Sequence, residues 1–263
     1  MSRPRPVPPE ERPTPLDQTE PPLEGAAGKV EEDEPVAHPD TPVPSIDEMR
    51  AALEWAFEGE DISEALLEAF AEHARMVLEA NRVMNLTSIL DPREVAAKHY
   101  LDSWRITRLV PLMARRVLDL GAGAGFPGLP VAMAEPNLVM TLVDSTKKKA
   151  DFVGACIEQL GIKNASSVWS RAEDHLTTHR VDVVLVRAVS SVRENVRTLR
   201  KVRHSLKDLV MLKGSSWSRE VRAAEREAER LGFKLDTVSE HELPEEMGSR
   251  AILVYRAPGG AGS

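Results

Sequence analysis

The stretch R-V-L-D-L-G-A-G-A-G-F-P-G-L-P, residues 116–130, decides the fold of this chain. A short apolar run that carries one acid, Asp119, leads into the glycines Gly121, Gly123 and Gly125. This pattern is typical of a buried parallel strand that ends in a tight turn before a helix. Glycine adopts positive φ readily, and because it has no Cβ it lets a ligand lie against the backbone. We therefore predict a ligand site at the carboxyl end of the first strand of an α/β sheet.

The spacing of the glycines indicates the class of ligand. A dinucleotide fingerprint, G-x-G-x-x-G, would need glycine where this chain has Phe126, whereas the tighter G-x-G-x-G fits. A second apolar run, residues 138–143, ends in Asp144, about 20 residues beyond the glycines, where an acid can accept hydrogen bonds from ribose hydroxyls. We therefore predict a nucleoside-containing cofactor. The tighter spacing resembles that of S-adenosylmethionine (SAM) methyltransferases more than that of nicotinamide enzymes.

Composition restricts the class of protein. The chain has 263 residues, 42% of them hydrophobic, which is enough for a sizeable core. Its single cysteine, Cys156, allows no internal disulfide and indicates a reducing compartment. No apolar run reaches membrane-spanning length, and the proline-rich, charged N-terminus does not resemble a signal peptide. We expect a soluble, cytoplasmic monomer with no membrane partner and no metal site.

The acidic character of the chain is concentrated at its N-terminus. Residues 1–45 contain ten acidic and four basic residues, so they account for most of the net charge of −8. They also hold most of the prolines and too few apolar residues to offset the entropy of ordering. We expect residues 1–45 to be a disordered acidic tail and residues 46–110 a helical cap. A methyltransferase domain should follow over residues 111–256, with a flexible tail at 257–263.

Capping residues and helical periodicity define the predicted cap. The first helix begins after Ser45, which stands in capping-box spacing with a glutamate three residues later. The second is capped by Asp61 or Ser63 and carries a regular apolar face. A polar break at residues 81–89 separates it from a third helix, which begins after Asp91-Pro92.

Beyond the cap, apolar runs alternate with helical patterns. Seven strands with helices between most of them predict a doubly wound α/β sheet, and the last two strands, which lack a helix between them, should pair antiparallel. We therefore expect the fold class to be a Rossmann-like SAM-dependent methyltransferase fold, a seven-stranded, mostly parallel sheet with an N-terminal helical cap. The predicted strands are 117–120, 139–143, 166–169, 182–186, 208–212, 234–239 and 250–255. The predicted helices between them are 129–134, 147–160, 172–176, 191–204 and 216–231.

Basic residues follow the predicted strands at the edge where the cofactor should bind. Arg171 follows the third strand, Arg187 ends the fourth and Lys213 ends the fifth. A cation at this edge can face the cofactor carboxylate or an RNA phosphate, so these three are candidates for positioning the reactants, and no catalytic residue is identified. In such sheets the residues after strand three lie beside the cofactor base, so the backbone of Ala172 and Glu173 is a candidate to recognise adenine.

Further basic residues predict an RNA contact surface. Lys147 opens a helix with three consecutive lysines, which oppose the helix dipole and fit either a phosphate site or a solvated face. In the predicted helix 191–204, Arg193, Arg197 and Arg200 begin a stripe that would continue through His204 and Lys207. A solvated helix face remains the alternative for this stripe. The predicted RNA-binding residues are Lys147, Arg193, Arg197, Arg200, Lys201 and Lys213.

The absence of some groups restricts the reaction. Methylation of carbon-5 of a pyrimidine needs a cysteine nucleophile, and Cys156 is misplaced for that role. Methylation of an exocyclic amine usually goes with an N-P-P-Y-like loop after strand four, where this chain reads Val186-Arg187-Ala188-Val189. An acceptor that is already nucleophilic remains, such as purine N7. No base has to remove a proton from it, so positioning alone can supply most of the rate.

Taken together, these stretches resemble the RsmG (GidB) family of 16S ribosomal RNA guanine-N7 methyltransferases over roughly residues 81–255. The G-x-G-x-G-[LF]-P-G-[IL]-P string is more specific than a bare glycine turn. The motifs that carry the resemblance are Met84-Asn85-Leu86-Thr87, His99-Tyr-Leu-Asp-Ser103, Asp119-Leu-Gly-Ala-Gly-Ala-Gly-Phe-Pro-Gly128, Leu142-Val-Asp-Ser145, Arg171-Ala-Glu173, Arg187-Ala188 and Leu212-Lys213-Gly214.

The resemblance implies a cofactor, a substrate and a reaction. Guanine N7 would attack the sulfonium methyl of SAM in line, on 16S rRNA or on the small ribosomal subunit, at one guanine near the decoding centre. The residues implied to bind SAM are Gly121, Phe126, Asp144, Ala172, Glu173 and Arg187, with Gly123 in the same turn.

Some positions depart from the family pattern, and other functions stay open. The family usually has serine where this chain has Val186, a glycine-containing loop where it has residues 204–208, and a tryptophan-asparagine pair where it has Ala80-Asn81. One alternative is a SAM methyltransferase that acts on a small molecule or a protein. Another is a non-catalytic SAM-binding regulatory module. A nicotinamide oxidoreductase is disfavoured by Phe126 at the third fingerprint position.

Overall fold

The computed structural model describes residues 41–260, so the predictions for residues 1–40 and 261–263 lie outside the described residues. The α-helices are Ile46–Ala56 (α1), Glu64–Met84 (α2), Pro92–Val95 (α3), Asp102–Leu109 (α4), Gly128–Ala134 (α5), Lys147–Gln159 (α6), Ala172–Thr178 (α7), Val192–Thr198 (α8) and Trp217–Leu231 (α9). A π-helical turn, Ala96–Leu101, joins α3 to α4, and 3₁₀ turns lie at Leu199–Lys201, Arg203–Ser205, Pro244–Glu246 and Pro258–Gly260. The strands are Arg116–Leu120 (β1), Val139–Asp144 (β2), Ala165–Trp169 (β3), Val183–Arg187 (β4), Asp208–Gly214 (β5), Lys234–Glu242 (β6) and Ser249–Arg256 (β7).

The seven strands form one sheet in the order β3-β2-β1-β4-β5-β7-β6. The first five strands are parallel, and β7 lies antiparallel between β5 and β6. The predicted seven-stranded, mostly parallel sheet with an antiparallel last pair is therefore confirmed. The strand order reverses between β1 and β4, and open α/β sheets bind ligands beyond the carboxyl ends of the strands at such a point.

Each face of the sheet is covered by its own set of helices. Successive side chains of a strand point to opposite faces, so Val184 and Val186 of β4 pack with α7, α8 and α9. Val183 and Leu185 of the same strand pack with α4, α5 and α6. Cys156 of α6 is fully buried in this second core, where burial raises the pKa of its thiol to about 12. Cys156 therefore serves as an apolar core residue.

The N-terminal helices precede the sheet and pack around a separate apolar core, to which Ala124 and Phe126 of the glycine turn also belong. Ser45 caps α1 in the predicted capping box, and Ser63 caps α2. Phe70 and Tyr100 are fully buried between these helices, with ring centroids 5.0 Å apart. Among residues 41–260, no helix combines the length and apolar character needed to cross a membrane.

The second helix is longer than predicted. α2 runs through the start of the predicted polar break and ends at Met84. Asn81 is buried near its end, and its Oδ1 accepts a hydrogen bond from the Thr87 N–H at 2.8 Å, while its amide donates to the Thr87 carbonyl oxygen at 2.9 Å. Because this polar side chain stabilises the loop from inside the helix, it does not break the helix.

The predicted helix over 191–204 is wrong in its second half. α8 ends at Thr198, and two 3₁₀ turns follow. The chain must reverse there to enter β5, and the turns bring Leu199 and Val202 into the core that also holds α9. The predicted stripe through His204 and Lys207 is therefore not one helix face.

The structure describes the C-terminal segment as far as residue 260. Ala257 is buried, and the turn Pro258–Gly260 lies against the loop before β5. A Cβ on Gly259 would stand 2.3 Å from the Leu206 carbonyl oxygen, so only glycine fits this contact. The flexible tail at residues 257–263 stays a prediction.

Candidate functional site

The glycine turn lies at the carboxyl end of β1. Gly121 and Gly123 have φ of 72° and 57°, in the left-handed region that favours glycine. The Gly121 N–H donates to the Val143 carbonyl oxygen at 2.9 Å, which ties the turn to β2. A Cβ on Gly123 would meet nothing closer than the Gly121 carbonyl oxygen, 3.9 Å away. The space over Gly123 is therefore open to a ligand.

Asp144, at the end of β2, fixes the turn from the side. Its Oδ2 accepts a hydrogen bond from the Gly123 N–H at 2.9 Å, and its Oδ1 accepts one from the Thr146 N–H at 2.8 Å. An ionised carboxylate has about four acceptor positions. Asp144 is therefore oriented by the backbone and can still accept two hydroxyl hydrogens, as a ribose would offer.

Asp119 is a fully buried acid in β1, next to the same turn. Its Oδ2 accepts a hydrogen bond from the Gly128 N–H at 2.8 Å, whereas its Oδ1 has no hydrogen-bond partner among the described residues. Burial raises the pKa of Asp119 to about 7. A buried carboxylate oxygen without a donor is costly, so this atom indicates where a bound group can supply one.

A buried histidine of the cap contacts the glycine turn. The Nε2–H of His73 in α2 donates to the Ala124 carbonyl oxygen at 3.1 Å, and its Nδ1 accepts from the Tyr100 hydroxyl at 2.9 Å. Burial lowers the pKa of His73 to about 4, so the ring is neutral and both nitrogens are used. The turn is thus held on one side by β2 and on the other by the cap.

Arg187, at the end of β4, is held by the cap. Its guanidinium donates to the Lys98 carbonyl oxygen at 2.9 Å and to His99 Nδ1. Burial, and next the charge of Arg187, hold the pKa of His99 well below its ordinary value, so the neutral ring donates through Nε2 to Thr87 Oγ1 at 2.9 Å. His99 also stacks on Phe126 with centroids 4.6 Å apart. The Phe126 ring therefore lies in the cap core, and its backbone belongs to the turn.

A cavity of about 400 Å³ lies beside Arg187 at the carboxyl ends of β4 and β5. Its walls come from the cap, the two strand ends, the start of α9 and the start of β7. The volume is in the range of small-ligand sites. Four cations and two carboxylates face it, so the cavity favours a ligand that carries negative charge. The charged lining residues are Lys98, Asp102, Arg187, Lys213, Glu220 and Arg250.

Lys213, predicted to contact RNA and position the reactants, is largely used inside the protein. Its side chain is only 9% exposed, and its Nζ lies 2.5 Å from the Ser190 carbonyl oxygen and 2.9 Å from the Glu220 carboxylate. The Ser190 loop also carries Val189, whose Cγ2 would stand 2.9 Å from a Cβ on Gly121. Lys213 therefore holds the loop that lies over the glycine turn.

The predicted adenine contacts lie on the same edge as Asp144. The Ser170 N–H donates to the Asp144 carbonyl oxygen at 3.0 Å, which brings the end of β3 beside the end of β2. Ala172 is buried at the start of α7, and the Glu173 carboxylate lies half-buried, 4.0 Å from the exposed Arg171 guanidinium. The role of Ala172 and Glu173 as cofactor contacts stays a prediction.

The predicted RNA-binding residues do not form one cluster. Lys147 lies on α6, where its ammonium pairs with Asp151 at 2.6 Å. Arg193 and Arg197 lie on α8, which covers the opposite face of the sheet. Arg200 and Lys201 follow in the first 3₁₀ turn.

Sequence reasoning missed the arginines of α9. A cleft of about 430 Å³ between α8 and α9 brings Arg193 together with Arg222, Arg226 and Arg230. The spacing of these three arginines, four residues apart on one predicted helix, could have found them. Asp102 and Arg250 in the other cavity were also missed as a pair, since they are 148 residues apart and no local pattern joins them.

A family profile and related sequences agree on one family. Residues 66–247 match the family profile described as GidB, rRNA small subunit methyltransferase G. A ribosomal RNA small subunit methyltransferase G of Solibacter usitatus is 36% identical over 196 residues, 73% of this chain and 91% of that protein. One from Bacillus licheniformis is 34% identical over 221 residues, 81% of this chain and 90% of that protein. Among solved structures, a SAM-dependent methyltransferase from Aquifex aeolicus has a TM-score of 0.47 and 16% identity, covering 63% of this chain and 94% of that chain.

Proposed function

The chain belongs to the rRNA small subunit methyltransferase G family, SAM-dependent enzymes that methylate guanine N7 in 16S rRNA, and we propose that it does so with the residues described above. The observation that carries the proposal is the open glycine turn beside the Asp144 carboxylate, with a cation-rich cavity on the far side of β4. Its substrate is small-subunit rRNA, free or assembled, in the cytoplasm.

The residues around the turn fit SAM. The open space over Gly123 accepts a ligand against the backbone, and Asp144 keeps acceptor positions for two ribose hydroxyls. The unpartnered, buried Oδ1 of Asp119 fits an ammonium group such as that of the methionine part. Ala172 and Glu173 line the place for adenine. Phe126 contributes backbone, because its ring is packed in the cap.

For this reaction, the main contribution of the protein is to position the two reactants. When bound, SAM supplies an electrophilic methyl group on a sulfonium. Guanine N7 has a free lone pair, so no side chain has to act as a base. Arg187 lies between the glycine turn and the cavity beside β4. It is the candidate for positioning the reactants, because the cap fixes its guanidinium from one side. The Asp102 and Glu220 carboxylates face the cavity and can offset the positive charge that the methylated base acquires.

The test combines genetics with purified protein. Mass spectrometry of small-subunit rRNA should find one 7-methylguanosine in wild-type cells that is missing in cells without this gene. Complementation should restore it with the wild-type gene and not with one that encodes Asp144→Ala. Purified protein should transfer labelled methyl from SAM to small-subunit rRNA from the deletion strain. Retention of every 7-methylguanosine in the deletion would reject the proposal.

A further inference from the structure

The cavity beside β4 lies outside the cofactor turn. The strand order places β4 between this cavity and the strands that carry the glycine turn and Asp144. Because β7 is antiparallel, its first residues lie at the same edge, and Arg250 pairs in register with Gly214 of β5. The cavity is therefore on the side of the fold where a methyl acceptor can approach, and Arg250 stands in its wall.

Three of the four cations in the cavity wall already have partners. The Lys98 ammonium lies 2.5 Å from the Glu94 carboxylate. Lys213 is bonded to Glu220 and to the Ser190 carbonyl oxygen, and the Arg187 guanidinium is bonded to the cap. These three cations line the cavity, but each already donates hydrogen bonds to other groups of the protein.

Arg250 differs from the other three. Its Nη1 donates to the carbonyl oxygen of the adjacent Ser249 at 3.1 Å, and its Nε lies 3.9 Å from Asp102 Oδ2, beyond hydrogen-bond distance. Its Nη2 has no partner among the described residues, although only 23% of the side chain is exposed. Because Nη2 keeps unused donors in the wall of the cavity, Arg250 favours a ligand that accepts hydrogen bonds and carries negative charge.

Glycines leave room around this guanidinium. A Cβ on Gly248 would stand 3.4 Å from Arg250 Nη1, and one on Gly214 would stand 3.9 Å from the same atom. Asp102 is oriented from its other oxygen, since its Oδ1 lies 3.2 Å from His241 Nε2. The head group of Arg250 is thus placed by its neighbours, and Asp102 stands at ion-pair distance from Nε without taking a hydrogen bond from it.

We propose that Arg250 binds a backbone phosphate of the target nucleotide and so holds the guanine in the cavity beside the cofactor. The inference rests on the proposed function, because the substrate must be RNA. A guanidinium fork matches a phosphate, which is the most strongly accepting group of an RNA substrate. The contact leaves guanine N7 free for methylation, whereas bidentate reading of the guanine edge would occupy N7.

The test is the salt dependence of RNA binding. Binding of purified small-subunit rRNA from the deletion strain is measured with S-adenosylhomocysteine present, at several salt concentrations. Loss of one phosphate contact lowers the slope of log affinity against log salt by about 0.7. We expect this change for Arg250→Gln. The matched control is Arg180→Gln, which changes an exposed arginine in the loop before β4, at the opposite edge of the sheet, and should leave the slope unchanged.

The outcomes separate this inference from the proposed function. A wild-type protein that methylates rRNA, with an Arg250→Gln variant of unchanged slope and affinity, overturns the role of Arg250 and leaves the function standing. The affinity of Arg250→Gln for SAM should equal that of wild type, and a tenfold loss would likewise overturn it. If Arg250→Gln does not fold, the same binding measurements on Arg250→Lys test the proposal. That variant keeps the charge and loses the fork, so it must keep the slope and bind RNA at least fivefold more weakly, and wild-type affinity would refute the contact.

Discussion

His73 Nε2 donates a hydrogen bond to the carbonyl oxygen of Ala124 at 3.1 Å, so α2 of the cap and the glycine turn share a buried contact. The same ring accepts from the Tyr100 hydroxyl, which makes His73 a bridge between the cap core and the cofactor turn. Removal of this side chain should therefore affect both stability and cofactor binding.

We expect His73→Ala to lower the free energy of unfolding by about 3 kcal/mol, because it leaves a cavity and two buried polar groups without partners. SAM affinity should fall as well, since the turn loses its contact with the cap. Urea unfolding and calorimetric titration with SAM measure the two effects. His204→Ala, at an exposed position, is the control and should change stability by less than about 0.5 kcal/mol. A wild-type stability for His73→Ala would contradict the bridging role.

Gly123→Ala should separate cofactor binding from backbone strain. Gly123 and Gly161 both have positive φ, 57° and 63°, so alanine costs about 1 kcal/mol of stability at either position. A Cβ on Gly123 enters the space proposed for SAM, whereas one on Gly161 meets nothing within 4 Å. We expect at least a tenfold loss of SAM affinity for Gly123→Ala and none for Gly161→Ala. Equal SAM affinities in the two variants would move the cofactor away from this turn.

Asp119→Asn should change how stability depends on pH. The folded protein raises the pKa of Asp119 from 3.8 to about 7, so the folded state holds its proton more tightly than the unfolded state. Stability from this group is therefore present below pH 3.8 and lost as the pH rises through 7, by roughly 4 kcal/mol in total. Asparagine carries no such titration.

The difference between Asp119→Asn and wild type should consequently grow in favour of the variant from pH 4 to pH 8. The titration of His73 is common to both proteins and cancels in this difference. Urea unfolding without SAM at several pH values measures it. The variant should at the same time bind SAM more weakly, because the buried carboxylate is gone. If the difference in stability between the variant and wild type did not vary from pH 4 to pH 8, Asp119 would already be ionised near pH 4 in the folded protein.

Asp144→Ala should weaken SAM binding strongly. The carboxylate can offer two charge-assisted hydrogen bonds to a ribose, each worth roughly 1.5–3 kcal/mol, so we expect the dissociation constant to rise at least a hundredfold. The Gly123 and Thr146 N–H groups also lose their acceptor, so stability falls too. Asp151→Ala, which removes an exposed, ion-paired acid on α6, should alter neither property and serves as the control. Unchanged SAM affinity in Asp144→Ala would mean that the ribose is held elsewhere.

Local patterns in the sequence are sufficient to predict the sheet and the position of the glycine turn in it. The apolar runs and glycines of β1, together with Asp144 at the end of β2, lie within about 30 residues of each other, where strand and turn chemistry are readable. Ser45 and the antiparallel last strands followed from equally local signals. The register that sets Asp144 beside Gly123 then follows from parallel pairing of the two strands.

The remaining features depend on contacts between distant parts of the chain. The sequence predicts a polar break that begins at Asn81. In the structure its side chain bonds to the backbone of Thr87 in the next loop, and Asn81 stays within α2. The sequence predicts an available cation at Lys213, at the end of a strand. Its contacts with the Glu220 carboxylate and the Ser190 carbonyl oxygen are visible only in the folded structure. The helix after β4 stops early because the chain must turn into β5, which periodicity alone cannot show.

The position of Arg250 in the last strand has a consequence for how the protein is made. Translation proceeds from the N-terminus, so the glycine turn leaves the ribosome more than a hundred residues before Arg250 does. A product truncated before β7 would retain the turn yet lack one wall of the neighbouring cavity. Premature termination before β7 would thus yield a chain that has the glycine turn in its sequence but lacks both Arg250 and the buried strand that joins β6 to the sheet.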